Sequence, residues 1–210
     1  MGQIHRYNIQ DIIDKYNTSI YIETGTGEGI SLTHVLKNKF KHFYSIDLDY
    51  DLIQSAIKKF ADIDNLIFIN NFSTEALNKL IPNINQNDNI LFFLDAHFPG
   101  ADFHKITYEN SIRTFKKQAF PLEDELKKII SLRDIKNDVF IIDDFILYEP
   151  NHDYETIKQG VTYKYKWLQD ELNIITDSNI IYKMFEKTHN FELSIKDQGY
   201  LLITPKKNEI

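Results

Sequence analysis

Short apolar runs alternate along the chain with longer stretches in which apolar residues recur every three or four positions. Strands of a parallel sheet are usually joined by helices in this way, because a crossover must bring the chain back to the same end of the sheet. The runs carry almost no charge before their last residue, which is typical of strands with both faces covered. We predict five such strands, at residues 19–23, 42–47, 65–70, 89–95 and 138–143.

Helical periodicity and a final hairpin complete this pattern. Apolar spacing predicts helices over residues 30–36, 52–60, 121–130 and 168–175. Two β-like runs near the end, residues 191–196 and 199–204, flank the turn sequence Asp197-Gln198-Gly199. We therefore predict a single α/β domain over residues 1–210, doubly wound, with helices on both faces of a mostly parallel sheet and an antiparallel final strand.

One long interval, residues 98–120, shows no clear periodicity. It contains Gly100, His104 and scattered charges, and we predict a loop or lid beside the carboxyl ends of the strands. Loops of this length within compact domains usually carry function.

Composition narrows the classes of function. The net charge of −7 disfavours a nucleic-acid partner, because such binding depends on clustered lysine and arginine. No apolar run reaches the roughly 20 residues that a membrane span needs, and no cysteine is present to form disulfides. We expect a soluble cytoplasmic protein with no membrane partner. The abundance of Asn, Ile and Lys suggests a bacterial or viral gene, with the host cytoplasm as the location if the gene is viral.

A glycine-rich turn follows the first predicted strand. The segment 23–29 reads ETGTGEG, so an acid ends the strand and three glycines alternate with other residues before a helix. Glycine allows a positive φ and a close approach of a ligand to the backbone. A turn without a ligand is the alternative. As a nucleotide site, the turn offers the residues Glu23, Thr24, Gly25, Thr26, Gly27 and Gly29.

Asp47 ends the second predicted strand about 20 residues after the glycine turn. Nucleotide-binding α/β folds place an acid there, which accepts hydrogen bonds from the ribose hydroxyls. Asp49 and Asp51 follow closely, so a solvated turn that caps the next helix is the alternative for all three acids. We predict Asp47 and its neighbour Leu48 as cofactor-binding residues.

A second group of acids lies at the ends of the fourth and fifth predicted strands. If these strands are neighbours, Asp95 and one or both of Asp143 and Asp144 can converge on one point, and a hard divalent ion such as Mg²⁺, Mn²⁺ or Ca²⁺ would relieve their repulsion. Alternatively, Asp143 caps a turn, Asp144 is solvated and Asp95 accepts backbone hydrogen bonds. His97, two residues after Asp95, is either a catalytic base or a structural residue.

Together these motifs resemble the class I S-adenosylmethionine-dependent methyltransferases. The resemblance implies the strand order 3-2-1-4-5-7-6, and a first motif whose backbone and leading acid Glu23 hold the methionine part of the cofactor. Asp47 matches the acid that binds the ribose. In this family the residues that follow the third strand usually contact adenine, and in this chain they are Asn71, Phe72 and Ser73. This segment departs from the family because it lacks the family's acid.

Within that superfamily, Asp95, Asp143 and Asp144 resemble the metal-binding aspartates of metal-dependent O-methyltransferases that act on sugars. The base of those enzymes is an aspartate, where this chain has His97. The resemblance implies methyl transfer to a hydroxyl of a small molecule, such as a sugar or sugar nucleotide, with Asp95 and His97 as the catalytic residues.

Other readings stay open at this point. The acids and His97 also suit a metal-dependent hydrolase, and the fold suits a non-catalytic module that binds the cofactor or a glycan. The aromatic residues between Tyr148 and Trp167 suit either a homodimer surface or a wall of the substrate site.

Overall fold

The computed structural model describes residues 4–148, 166–194 and 199–206. Seven strands form one sheet: β1 Thr18–Thr24, β2 His42–Asp47, β3 Leu66–Asn70, β4 Asn89–Leu94, β5 Val139–Ile142, β6 His189–Ser194 and β7 Tyr200–Pro205. Their order is β3-β2-β1-β4-β5-β7-β6, which confirms the prediction. The first five strands are parallel, and β7 is antiparallel to both β5 and β6.

The predicted strands agree with the observed ones except at their ends. The largest shift is at β6, which begins at His189 and ends at Ser194, two residues earlier than predicted at each end. Of the predicted hairpin turn, Asp197 and Gln198 lie outside the described residues. Gly199 has a φ of +86°, and a Cβ at this position would lie 3.1 Å from the backbone nitrogen of Ile146.

Eight α-helices are present in the described part of the chain. They are α1 Ile9–Tyr16, α2 Ile30–Val35, α3 Tyr50–Lys59, α4 Ser73–Leu80, α5 Tyr108–Phe115, α6 Leu122–Leu132, α7 Lys166–Glu171 and α8 Ser178–Phe185. The sequence predicted α2, α3, α6 and α7. The four that it missed have eight residues each, and two turns contain too few apolar repeats to establish a 3.6-residue period.

Strand alternation divides the interior into two cores, one on each face of the sheet. Ile22 and Phe92 point to the face covered by α4, α6 and α8, whereas Tyr21 and Phe93 point to the face covered by α1 and α2. The stacked rings of Phe92 and Phe140, 4.8 Å between centroids, join neighbouring strands within the first core. Helices on both faces confirm the doubly wound arrangement.

The prediction of a long loop over residues 98–120 was wrong in part. The interval contains α5 and a 3-10 helix, Lys116–Ala119. The side chain of Thr107 caps α5 by accepting a hydrogen bond from the backbone N–H of Asn110. Phe98 and Ile112 are buried in the core, so only part of the interval is free to act as a lid.

In the described part of the chain, no helix is both long and apolar enough to cross a lipid bilayer.

Candidate functional site

A cleft of about 440 Å³ opens at the carboxyl ends of β1, β2 and β4. The sheet order reverses direction between β1 and β4, and ligands of open α/β sheets bind at such a switch point. The volume is that of a small-molecule site. Ten predicted cofactor or catalytic residues line it: Gly25, Thr26, Gly27, Asp47, Leu48, Asn71, Phe72, Ser73, Asp95 and His97.

Gly25 brings the turn after β1 into direct contact with the end of β4. It has a φ of +87°, and a Cβ at this position would lie 2.4 Å from the backbone oxygen of Asp95. Its N–H donates to the carbonyl of Ile46 at 2.8 Å, so the turn is also attached to β2. No other residue type fits both the conformation and the space.

Glu23 lies beneath the cleft and does not line it, contrary to the direct contact with the cofactor implied by the family resemblance. Its carboxylate is buried and accepts hydrogen bonds from the hydroxyls of Tyr21 (2.8 Å), Ser31 (2.7 Å) and Ser45 (2.6 Å). Burial raises the pKa of Glu23 to about 7, although these three hydroxyls lower it. In this structure Glu23 supports the turn from below.

Thr24 and Gly29 also lie outside the cleft wall. Thr24 is buried, and its carbonyl accepts a hydrogen bond from the N–H of Asp95 at 3.0 Å. Gly29 has a φ of +70° at the start of α2, where the ring of Phe60 leaves no room for a Cβ. Both residues shape the turn.

Asp47 lines the cleft and braces the glycine turn. It accepts hydrogen bonds from the N–H of Gly27 at 2.9 Å and from that of Asp49 at 2.8 Å. Burial raises its pKa, while these bonds lower it. The sequence analysis missed Asn70, whose side-chain amide donates to the carbonyls of Asp47 and Leu48 and holds the turn after β2.

The predicted adenine-contacting residues form the far wall of the cleft. Asn71 accepts a hydrogen bond from the N–H of Phe72 at 2.8 Å, which fixes its side chain at the turn. The ring of Phe72 meets that of Phe115 edge to face, 6.4 Å between centroids. Phe115 belongs to α5, so this wall depends on a helix that the sequence analysis missed.

Glu125 is a second buried acid under the cleft, and the sequence analysis missed it. It projects from α6 and is buried, and burial raises its pKa to about 7 although the neighbouring Ser73 and Thr24 lower it. An acid in the first turn of a helix is usually exposed. No pattern in the sequence distinguishes Glu125 from the neighbouring Glu123 and Asp124.

The acidic cluster differs from the prediction. Asp95, His97 and Asp144 converge, with one potential ligand atom of each within 4.8 Å of the others. Asp143 lies outside this group of three, although it is buried and its charge contributes to the raised pKa of Asp95. A positive φ of 50° at Asp144 then turns the chain so that this carboxylate faces Asp95.

Electrostatics at the cluster favour a bound cation. Burial, and then the charges of Asp143 and Asp144, raise the pKa of Asp95 well above its usual range. The pKa of Asp144 is raised in the same way, with Asp143 as the main neighbouring charge. A positive ion would relieve this repulsion.

His97 is placed for coordination or proton transfer. Burial lowers its pKa to about 4, so the imidazole is neutral at pH 7. Its Nε2 lies 3.4 Å from the hydroxyl of Tyr148, and its Nδ1 is buried without a hydrogen-bond partner among the described residues. An unpartnered nitrogen beside two carboxylates fits a metal ligand, which would make the site a mixed oxygen and nitrogen one.

Part of the predicted aromatic surface lies outside the described residues. This applies to Tyr154, Tyr163 and Tyr165, and the side chain of Trp167 is likewise not described. Tyr148 is buried, where it contacts His97 and Phe145, so it does not contribute to an exposed surface.

Comparison with solved structures places the fold among the class I methyltransferases. The chain is similar to the S-adenosylhomocysteine-bound methyltransferase PaMTH1 from Podospora anserina, with a TM-score of 0.56 and 13% identity over 97% of this chain and 84% of the other. It is also similar to the O-methyltransferase TomG from Streptomyces achromogenes, which is involved in tomaymycin synthesis and was solved with S-adenosylmethionine (TM-score 0.55, 10% identity, 95% and 78% covered). A third is an O-methyltransferase from Bacillus cereus in complex with S-adenosylhomocysteine (TM-score 0.55, 10% identity, 98% and 82% covered).

Sequence comparison adds no closer relationship. No family model matches the chain, and no curated protein does. The similarity at this level of identity therefore shows the fold, which is that of the class I methyltransferases, with the same strand order and antiparallel β7.

Proposed function

We propose that this protein is an S-adenosylmethionine-dependent methyltransferase that methylates a hydroxyl of a small molecule. The observation that carries the proposal is the cleft at the switch point, where Gly25 and Gly27 of the glycine turn line the wall and Asp47 presents a carboxylate. Structures of the same fold, described above, hold S-adenosylmethionine or S-adenosylhomocysteine.

The lining residues suit the parts of this cofactor. Asp47 uses one lone pair of each oxygen on backbone N–H groups, which leaves further lone pairs for two ribose hydroxyls. Leu48 and Phe72 offer apolar surface to an adenine ring, and Asn71 offers polar atoms beside it. The methionine part would lie against the glycine turn, whose residues Gly25, Thr26 and Gly27 line the cleft.

The reaction would be an in-line displacement. An oxygen of the acceptor forms a bond to the methyl carbon while the carbon–sulfur bond breaks, and its electron pair stays on sulfur. The chain has to align the acceptor and remove its proton, and alignment alone supplies much of the rate. The neutral imidazole of His97 can accept that proton.

A divalent cation fits the same residues, with a changed ligand set. Asp95, His97 and Asp144 would hold it, in place of the predicted trio that included Asp143. When bound, such an ion lowers the pKa of a coordinated hydroxyl. The imidazole nitrogen favours Mn²⁺ or another transition ion over Mg²⁺ and Ca²⁺, which prefer oxygen ligands. A nitrogen that binds the ion cannot also accept the proton, so metal binding and the role of His97 as base are alternatives.

Charge in the cleft supports a neutral or cationic acceptor. Among the described residues that line the cleft, Lys105 is the single lysine, and it pairs with Asp49. The acids that line the cleft outnumber it: Glu28, Asp47, Asp49, Asp95 and Asp102. An anionic acceptor would meet repulsion there. A neutral sugar therefore suits the cleft better than a sugar nucleotide with its phosphates.

Calorimetric titration with S-adenosylhomocysteine tests the proposal. We expect micromolar binding, about −8 kcal/mol, to the wild type and to the control variant Asp64→Ala, whose acid is exposed and far from the lining residues. Asp47→Ala should lose the binding. Failure of the wild type to bind under any condition, with Mn²⁺ or with chelator, would refute the proposal.

The cluster Asp95, His97 and Asp144 favours a second candidate, a metal-dependent hydrolase. In that case the glycine turn and Asp47 would be structural only. Binding of Mn²⁺ without any binding of S-adenosylhomocysteine would favour the hydrolase. Cofactor binding with no methyl transfer to any sugar or catechol acceptor would instead indicate a non-catalytic binding module.

A further inference from the structure

A short segment, residues 99–107, covers the outer side of the cleft. We call it the cover loop. Its Phe103 lies over the glycine turn, because a methyl group on Gly27 would come within 3.0 Å of the ring. Six residues of the loop line the cleft: Pro99, Gly100, Asp102, Phe103, Lys105 and Ile106.

The cover loop is folded on itself and attached to its own base. The carbonyl of Gly100 accepts hydrogen bonds from the N–H groups of Lys105 (3.1 Å) and Ile106 (3.4 Å). At the base, Ser111 of α5 donates to the carbonyl of Pro99 at 3.0 Å, and Phe98 is buried. These bonds can persist whether the loop lies on the cleft or away from it.

Lys105 connects the cover loop to the opposite wall. Its ammonium donates to Asp49 at 2.7 Å and to Asp51 at 3.2 Å, at the first turn of α3. Asp49 is held in place because it also caps α3, accepting from the N–H groups of Asp51 and Leu52. Partial burial raises the pKa of Asp49, but the hydrogen bonds from Lys105 and Leu52 outweigh it and lower the pKa overall.

The ion pairs of Lys105 with Asp49 and Asp51 favour the closed position of the cover loop, but they are exposed enough to break. The side chain of Lys105 is 41% exposed and that of Asp51 is 82% exposed, so water and salt compete for both charges. Phe103 adds apolar contact with the glycine turn, which does not depend on salt. Rupture of the ion pairs therefore removes the charged connection to the far wall and leaves the Phe103 contact with the glycine turn.

We propose that the ion pairs of Lys105 with Asp49 and Asp51 latch the cover loop over the cleft, and that their opening controls how fast the bound ligand is released. The inference rests on the proposed function only in taking S-adenosylhomocysteine as that ligand. These ion pairs therefore slow the release of the bound ligand, and they make its release rate depend on the salt concentration.

Stopped-flow release of S-adenosylhomocysteine from Lys105→Met tests the latch. We expect release about two- to fivefold faster than wild type in low salt, with the difference vanishing in high salt because salt weakens only the wild-type latch. Lys117→Met is the matched control, since Lys117 forms an exposed ion pair with Asp124 at 2.7 Å outside the cover loop. Identical rates and identical salt dependence in Lys105→Met and Lys117→Met would overturn the proposal.

A ligand-free measurement separates this proposal from the proposed function. In the variant Phe103→Trp the indole would report on the cover loop through acrylamide quenching, corrected for Trp167 with the parent protein. Adding Lys105→Met should increase quenching in low salt, while adding Lys117→Met should not. If quenching responds but S-adenosylhomocysteine never binds, the latch stands and the methyltransferase proposal fails. Equal quenching in all variants overturns the latch.

Discussion

The buried ion pair of Arg133 and Asp138 gives the sharpest prediction about stability. Both side chains are 1% exposed. The guanidinium donates from Nε to one oxygen of Asp138 at 2.7 Å and from Nη2 to the other at 3.2 Å, while Nη2 also reaches the carbonyl of Asp88. Asp138 accepts a further hydrogen bond from the N–H of Ile90 in β4. The pair thus joins the end of α6 to the sheet.

Arg133→Met should destabilise the protein by about 3–5 kcal/mol at pH 8, because it leaves a buried carboxylate without its partner. The control Lys136→Met removes an exposed pair with Asp134, whose side chains are 64% and 62% exposed, and should cost less than about 1 kcal/mol. Urea unfolding followed by circular dichroism measures both. Adding Asp138→Asn to Arg133→Met should recover about 2 kcal/mol or more, since no buried charge remains.

The pH dependence provides a second check on this reasoning. Burial raises the pKa of Asp138 to about 6 even though Arg133 lowers it, and loss of Arg133 should raise it further. A group whose folded pKa exceeds its unfolded value of about 3.9 loses its stabilising contribution as the pH rises through the folded pKa. The cost of Arg133→Met should therefore be smaller at pH 5 than at pH 8. A cost no greater than that of Lys136→Met, or one independent of pH, would refute the argument.

Three further predictions concern the site. Gly25→Ala should lower the stability by about 1–2 kcal/mol, because alanine is strained at this positive φ. The new methyl group would also contact the Asp95 carbonyl, so binding of S-adenosylhomocysteine should weaken at least tenfold. An unchanged affinity in calorimetry would contradict this prediction. The stability of the wild type should fall as the pH rises from about 4.3 to 7, because the pKa of Glu125 in the folded protein is raised to about 7. Urea midpoints measured at pH 5 and pH 8 should fall less in Glu125→Gln than in the wild type. Tyr148→Phe should weaken Mn²⁺ binding about tenfold to a hundredfold by removing the partner of the His97 Nε2; titration with equal affinities would exclude that role.

Local pattern was sufficient to predict the sheet and the position of the cleft. Parallel strands with both faces covered must be apolar throughout, so their limits are visible in the sequence. Their carboxyl ends lie at one edge of the sheet, which is why the sequence alone assigns Asp47 and Asp95 to the same rim. Gly25 was predictable for the same reason, since glycine is required where the turn meets a neighbouring strand.

Helices of two turns were harder to predict, and this affected the site. The helix α5 was hidden in a segment read as a loop, although it contributes Phe115 to the cleft wall. Eight residues give only two or three apolar repeats, and their partners lie far away in sequence. Its helical state depends on the local Thr107 cap and on the packing of Ile112 into the core, and only the second of these is a tertiary contact.

The direction of each acidic side chain was decided by the tertiary structure. From the sequence, Asp143 and Asp144 were equivalent candidates for a metal site, and Glu23 was assigned to the cofactor. In the fold, a positive φ at Asp144 brings its carboxylate to Asp95 and His97, Asp143 stays outside this group, and three hydroxyls donate hydrogen bonds to Glu23. Sequence determines which residues reach the rim, because strand length and polarity are local properties. Which of them converge depends on backbone angles and on distant partners, and those exist only once the chain has folded.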